Sequence, residues 1–369
     1  MAEQEPALEN MVMENNFWKH KTVLITGHTG FKGSWLSLWL QSKGANLIGY
    51  SLPPPTEPSL FEIAHVAKNM KSILGDIRDL DHFISTIEKY KPEIVIHMAA
   101  QAIVRDSYKE PVDTYSTNVM GTVHVLEATR MENCVKVLLV ITSDKCYENK
   151  EWVWGYREKD SLGGRDPYSS SKGCAELVAA AYRESFFSRD KNGEANVLIA
   201  TTRAGNVIGG GDWAKDRLIP DIMKALAESV PIKIRFPNAI RPWQYVLEPL
   251  AGYLNLAENL WINGNEFVGA WNFGPNEGDA KPVWWVADHL IHKWGKNARW
   301  ISDPDQNMHE ATYLKLDCSK ARARLKWKPK LNIEETLNST VDWYKAYANG
   351  KNMRAITLKE IARYEKISK

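Results

Sequence analysis

Thr22-Val-Leu-Ile-Thr26 runs directly into Gly27-His-Thr-Gly30-Phe-Lys-Gly33. An apolar run this short, followed at once by glycines, reads as a strand buried on both faces. The glycines have distinct physical tasks. Gly27 permits a tight turn, Gly30 lets a backbone approach a pyrophosphate, and Gly33 allows a helix to pack closely on the strand. A helix opening at Phe31 then points its N-terminal N–H groups at phosphate. The stretch predicts a dinucleotide site formed by Gly27, His28, Gly30, Phe31, Lys32 and Gly33.

The pattern outward from this stretch is repetitive. A helix is expected over 31–43, a second strand over 46–50, and a helix capped by Asp79 with Leu80, Phe83, Ile84 and Ile87 on its apolar face. Strand 93–97, helix 111–131, strand 135–142, helix 168–188 and strand 196–201 follow. Strands alternating with helices imply βαβ units. The expected fold class is α/β, a doubly wound parallel sheet of Rossmann type with a smaller mixed C-terminal substrate domain. Residues 1–16 read as a disordered tail and 17–206 as the dinucleotide domain, with returning segments near 240–274. Residues 207–239 and 275–350 read as the substrate domain, and 351–369 as a C-terminal tail.

Composition narrows the function classes. A formal net charge of +2 over 369 residues argues against a nucleic acid or acidic membrane partner. The N-terminal residues lack the basic and apolar regions of a secretory signal, and no apolar run approaches the length of a membrane span. A cytoplasmic protein is expected. Cys134, Cys146, Cys174 and Cys318 are scattered without a CxxC pair, which disfavours a disulfide framework and a zinc site.

Around the glycine turn, Asp76 with Ile77 follows the third strand, where a carboxylate can accept from an adenine amino group. Ala99, Ala100 and Gln101 after the fourth strand are small enough to let a cofactor pass. The second strand ends at Tyr50-Ser51, without the acid that holds ribose hydroxyls and without an arginine for a 2′-phosphate. NAD is therefore favoured only weakly over its phosphorylated form by this loop. His28 and Lys32 are unusual in such a turn. They are either a solvated pair or neighbours of the phosphates, and the second reading predicts modest cofactor affinity.

Tyr168-Ser-Ser-Ser-Lys172 sets a phenol and an ammonium on one helix face. Tyrosine titrates at about 10, too high for a base at neutral pH, and a nearby cation lowers that value. A strand ending in Thr142-Ser-Asp-Lys145 precedes the pair.

Four features together resemble the extended short-chain dehydrogenases that act on nucleotide sugars: the glycine turn, the Tyr168/Lys172 pair, Asn118 in Ser116-Thr-Asn-Val-Met-Gly121, and Arg203-Ala-Gly-Asn206 followed by Leu218-Ile-Pro220. The likeness spans about residues 17 to 345. Ile141–Tyr147, Trp152–Tyr156, Gly205–Trp213 and Arg241-Pro-Trp243 are similar, more narrowly, to the 4,6-dehydratase branch that takes a CDP-linked glucose.

That resemblance implies bound NAD and a cycle of C4 oxidation, water loss across C5 and C6, and hydride return to C6. It implies Tyr168 as the base at the C4 hydroxyl, Lys172 as its partner, Ser143 as a hydrogen bond to that hydroxyl, and Asp144 as the acid at the C6 hydroxyl. Related dehydratases carry a glutamate at the next position, where this chain has Lys145. An amine with a pKa of about 10.4 is charged at pH 7, so Lys145 either loses its proton through burial or stays charged and stabilises an enolate. Arg241 and Asn206 are implied as pyrophosphate ligands, with Arg217, Leu218 and Arg235 nearby and Tyr313 closing the nucleotide pocket. Arg105, Ser107 and Asn118 are candidates near the sugar. A homodimer or higher homo-oligomer through helices 111–131 and 168–188 is also implied. The competing readings are a UDP- or dTDP-glucose dehydratase, a 4-epimerase, a non-catalytic NAD sensor and a structural dimer module.

Overall fold

The computed structural model describes residues 17–187, 197–295, 298–303 and 314–367. The segment read as an N-terminal tail, Ser188, Asn196 and Tyr313 lie outside the described residues.

Seven parallel strands form the central sheet. β1 (Thr22–Thr26), β2 (Asn46–Ser51), β3 (Lys71–Leu74), β4 (Ile94–His97), β5 (Val137–Ile141) and β6 (Leu198–Arg203) are joined by the strand Gly269–Asn272. Their order is Gly269–Asn272, β6, β5, β4, β1, β2, β3. β1 pairs with β2 from Thr22↔Asn46 to Thr26↔Tyr50 and with β4 from Val23↔Ile94 to Thr26↔His97. The order of strands reverses at β1, so the crevice outside the carboxyl ends of β1 and β4 is where such a sheet takes its ligand.

Alternate residues of β1 explain its unbroken apolar run. Val23 and Ile25 enter the larger core with Trp35, Leu36 and Trp39 of the first helix, α1 (Phe31–Ser42). Leu24 enters a second core on the other face with Phe83, Val125 and Ile199. Helices therefore cover both faces: α1 on one, and α2 (Leu80–Tyr90) and α3 (Gly121–Met131) on the other. As expected, the Asp79 side chain caps α2 by accepting from His82 N at 3.0 Å.

Two expectations need correction. Residues 111–131 are not one regular helix, because Ser116–Met120 form a wider π turn between Pro111–Tyr115 and α3. The turn carries Asn118, whose amide bonds outward to the chain at Gln101 and to Ser171. The C-terminal residues, read as a tail, form the helix Met353–Glu365. A thin stripe of Met353, Thr357, Ile361 and Tyr364 is buried, although charged residues surround it. Tyr364 donates to the buried Glu248 carboxylate, and Tyr245 donates to Glu360 on the same helix. Trp39 Nε1 of α1 donates to Glu365 at 2.8 Å, and Arg354 donates to Gln41 at 2.7 Å.

Candidate active site

The glycine turn is shaped for a close backbone neighbour. Gly27 has φ 74°, and a Cβ there would lie 2.8 Å from Ala99 N; a Cβ on Gly33 would lie 2.2 Å from Gly27 O. No side chain caps α1 at Gly30, so its first-turn N–H groups are available to an anion. A dinucleotide pyrophosphate fits this cradle. Phe31 lies beside Gly209, with 3.4 Å from its ring to a Cβ built there. At the end of β2, Thr29 Oγ1 and Ser51 Oγ are 2.9 Å apart, so hydroxyls stand where an acid is missing.

His28 is neither solvated nor aimed at phosphate. Its ring is buried over Gly49, whose hydrogen leaves the space, with Nε2 2.8 Å from Ser72 Oγ. Only its main chain remains for the cofactor. Ile77 is likewise turned inward, packed against Gly121. Asp76 grips Arg78 at 2.6 Å, which holds its carboxyl below the ordinary value. Lys32, by contrast, belongs to the crevice. Burial brings its amine down to about 7, and the charges of Lys172 and Arg217 act in the same direction, with Asp144 opposing.

Burial also pushes His28 down to about 4 and His97 to about 3. His97 lies between Thr26 Oγ1 at 2.8 Å and Thr122 Oγ1 at 3.3 Å. Both rings stay neutral in the fold while an unfolded histidine protonates near 6.5. Stability is therefore unaffected by them above that pH and falls as pH drops from about 6.5 towards 4, by about 3 kcal/mol for each ring. The expected result is a steep loss of Tm between pH 6.5 and 4. A flat Tm over that window would show that the rings titrate normally.

Helix α4 (Pro167–Ser185) presents Tyr168, Lys172 and Glu176 at successive turns. Asp166 caps it, accepting from Ser169 N at 2.8 Å. The expected lowering of Tyr168 by Lys172 is not what the structure has. Burial raises the phenol to about 12, and the Ser143 hydroxyl bonded to it works the other way. Lys172 Nζ donates to Ile141 O at 3.3 Å, and burial lowers its amine to about 8 against the pull of Glu176. Ser143 and Asp144 follow β5, both buried, with Ser143 Oγ donating to Asp144 Oδ1 at 2.9 Å. Lys145 N donates to Ser143 Oγ at 3.3 Å.

Beneath these groups lies a buried ion pair not foreseen from sequence. Glu176 accepts from Arg203 at 2.8 Å, with both side chains only 3% exposed. It also accepts from Thr142 and Thr201. Arg203 reaches Tyr147 Oη at 2.7 Å, and Tyr147 donates to Asn272 at 2.8 Å. Spacing was the available signal: Glu176 continues the four-residue period of Tyr168 and Lys172.

The remaining candidates divide. Asn118 accepts from Gln101 N at 2.8 Å and donates to Gln101 O at 3.0 Å and Ser171 Oγ at 2.9 Å. Those bonds fix the loop Ala99–Gln101 to α4 and use the amide inside the protein. Ser107 donates to Val104 O at 2.6 Å and is fully buried. Arg105 and Arg235 converge on Asp216, at 3.5 and 2.9 Å. Arg217 precedes Leu218, the first residue of helix Leu218–Glu228, and pairs with Asp212 at 2.9 Å. Asn206 has a left-handed φ of 49°, and its carbonyl accepts from Gln244 N at 3.2 Å. Arg241 is 9% exposed in strand Ile240–Pro242.

Comparison with known proteins gives this geometry a family. The chain is 54% identical over 353 residues to the CDP-glucose 4,6-dehydratase of Salmonella typhimurium, covering 96% of this chain and 98% of that one. Its fold matches a dTDP-glucose 4,6-dehydratase from Bacillus anthracis in complex with NAD, with TM-score 0.73, 22% identity, and coverage of 90% of this chain and 99% of that one. A UDP-glucose 4-epimerase from Thermotoga maritima matches with TM-score 0.77, 21% identity, and coverage of 88% and 99%. The family model of GDP-mannose 4,6 dehydratase matches residues 24–248. That span holds the glycine turn, the Ser143–Lys145 strand end, the Tyr168/Lys172 helix and the Arg203–Asn206 loop, and the chain belongs to the GDP-mannose 4,6 dehydratase family.

Proposed function

We propose that this protein removes water from CDP-glucose to give CDP-4-keto-6-deoxyglucose. The observation that carries the reading is 54% identity over nearly the whole chain to a CDP-glucose 4,6-dehydratase, joined to a buried Ser143–Asp144 pair beside Tyr168. NAD would be held by the turn Gly27–Gly33 and the loop Ala99–Gln101 and, when bound, would supply the hydride chemistry of the C4 oxidation and the C6 reduction. Tyr168 takes the C4 hydroxyl proton while Ser143 orients that hydroxyl, and Lys172 supplies positive charge below the phenol. The new ketone acidifies C5. Asp144 then gives its proton to the C6 oxygen, and Lys145 takes the proton from C5. Arg241 and Asn206 hold the pyrophosphate, with Arg217, Arg235 and Arg105 forming the basic wall beyond it.

Four free cysteines support a reducing compartment, the cytoplasm. Among the described residues no helix is long and apolar enough to cross a membrane. Exposed Val112, Tyr115 and Leu177 on helices Pro111–Tyr115 and α4 support pairing of two chains through those helices.

The test is to incubate the protein and NAD with CDP-, UDP-, dTDP- and GDP-glucose in turn and follow the mass of each. Loss of one water from CDP-glucose alone is expected. No mass change, with gluco-to-galacto conversion by NMR, would replace the dehydratase reading with an epimerase.

A further inference from the structure

We propose that Gly205 is a positioning residue for water removal, because the space left by its absent side chain is the space the Asp144 carboxylate occupies. This rests on the reading of Asp144 as the acid. A Cβ built on Gly205 would lie 1.8 Å from Asp144 Oδ2, 2.1 Å from Cγ and 2.4 Å from Oδ1. No heavy atom can be accommodated at such distances. The backbone does not require glycine here, since Gly205 is not among the residues with positive φ. Space is therefore the reason for the residue.

Neither wall of the contact is free to retreat. On one side Gln244 Nε2 donates to Gly205 O at 3.0 Å and Gln244 N to Asn206 O at 3.2 Å. Gln244 itself is 2% exposed. On the other side Asp144 opens the short turn Asp144–Cys146 at the end of β5 and is also 2% exposed. What can move most cheaply is the carboxylate, by rotation about its own side-chain bonds. That rotation breaks its bond from Ser143 and turns it out of the position set by the two strand ends. β5 thus carries the acid, and β6 carries the gap that aims it.

The step affected is cleavage of the C6–O bond. The Asp144 proton goes to the C6 oxygen, which leaves as water with the C6–O electron pair. The C5–H pair becomes the new C5–C6 bond, and that proton passes to Lys145. Oxidation at C4 uses Tyr168, Ser143 and Lys172 and does not need the Asp144 proton. Crowding at position 205 therefore separates the two halves of the reaction.

In Gly205→Ala, release of the dehydrated product is expected to fall by about 10²–10⁴-fold, the usual worth of a positioned acid. C4 oxidation, read as reduction of NAD in a single turnover, and KM for CDP-glucose are expected to change by much less. A second readout is independent of catalysis. Gly205→Ala should lower Tm in the protein that keeps Asp144, and should cost little in an Asp144→Ala background, where the clash is gone. Dehydration at the parent rate in Gly205→Ala, or equal Tm costs in both backgrounds, would overturn the proposal. The acid reading is judged separately by Asp144→Asn: a variant that still removes water at full rate sinks that reading and leaves the two Tm costs to show whether the packing claim alone holds.

Discussion

Tyr168→Phe is expected to lower turnover of CDP-glucose by about 10²–10⁴-fold, the range for loss of a general acid–base group. The ring is buried and its removal of one oxygen leaves the packing of α4 intact, so Tm and KM should move little. This split distinguishes a chemical role from a structural one. The pH profile adds a second prediction of sign. Lys172, held near 8 by burial, is charged below that pH and loses its charge above it. Activity in the parent protein should therefore fall as pH rises through about 8, and the residual activity of Tyr168→Phe should lose that limb. Turnover within tenfold of the parent would remove Tyr168 from the chemistry.

Breaking the Glu176–Arg203 pair is expected to have the largest effect on stability. Burial opposes the charge of Arg203, and the Glu176 carboxylate more than restores it. Arg203→Met leaves that carboxylate buried and without its ion-pair partner, bonded by the hydroxyls of Thr142 and Thr201 and facing Lys172 one turn away. A stranded buried charge costs about 3–5 kcal/mol. Adding Glu176→Leu should recover much of the loss, because replacing both partners removes the uncompensated charge. Activity should not recover with it. Arg203 also holds Tyr147, three residues beyond Asp144, and Glu176 supports the charge of Lys172 from one turn away. Chemical denaturation measures the first effect and product formation the second. Equal stability for Arg203→Met and the parent would mean that water reaches the pair.

Much of this was readable from the chain alone because it depends on local pattern. The buried strand before Gly27 and the four-residue step from Tyr168 to Lys172 are visible within a few residues, and both stand as expected. Contacts made across the sheet leave no such trace. Gly205 looks like one more small residue in Arg203-Ala-Gly-Asn206, and only the approach of β5's end to β6's end reveals its use. His28 reads as polar in a turn, yet Gly49, one strand away, opens a buried place for its ring. The helix Met353–Glu365 was missed because its apolar stripe is thin, and because its partners Trp39 and Glu248 lie far off in sequence. Tyr168 was expected to have a lowered pKa from its spacing to Lys172, but spacing reports shared direction and not the depth of burial that dominates.

The docking of that last helix on α1 has a consequence for synthesis. The first and the last of the described helices cover each other, through Trp39, Tyr364 and Glu365. About 310 residues separate them, so at roughly 5–20 residues per second the patch on α1 waits on the order of half a minute for its cover. During translation the patch centred on Trp39 stays without this cover until residues 353–365 have left the ribosome.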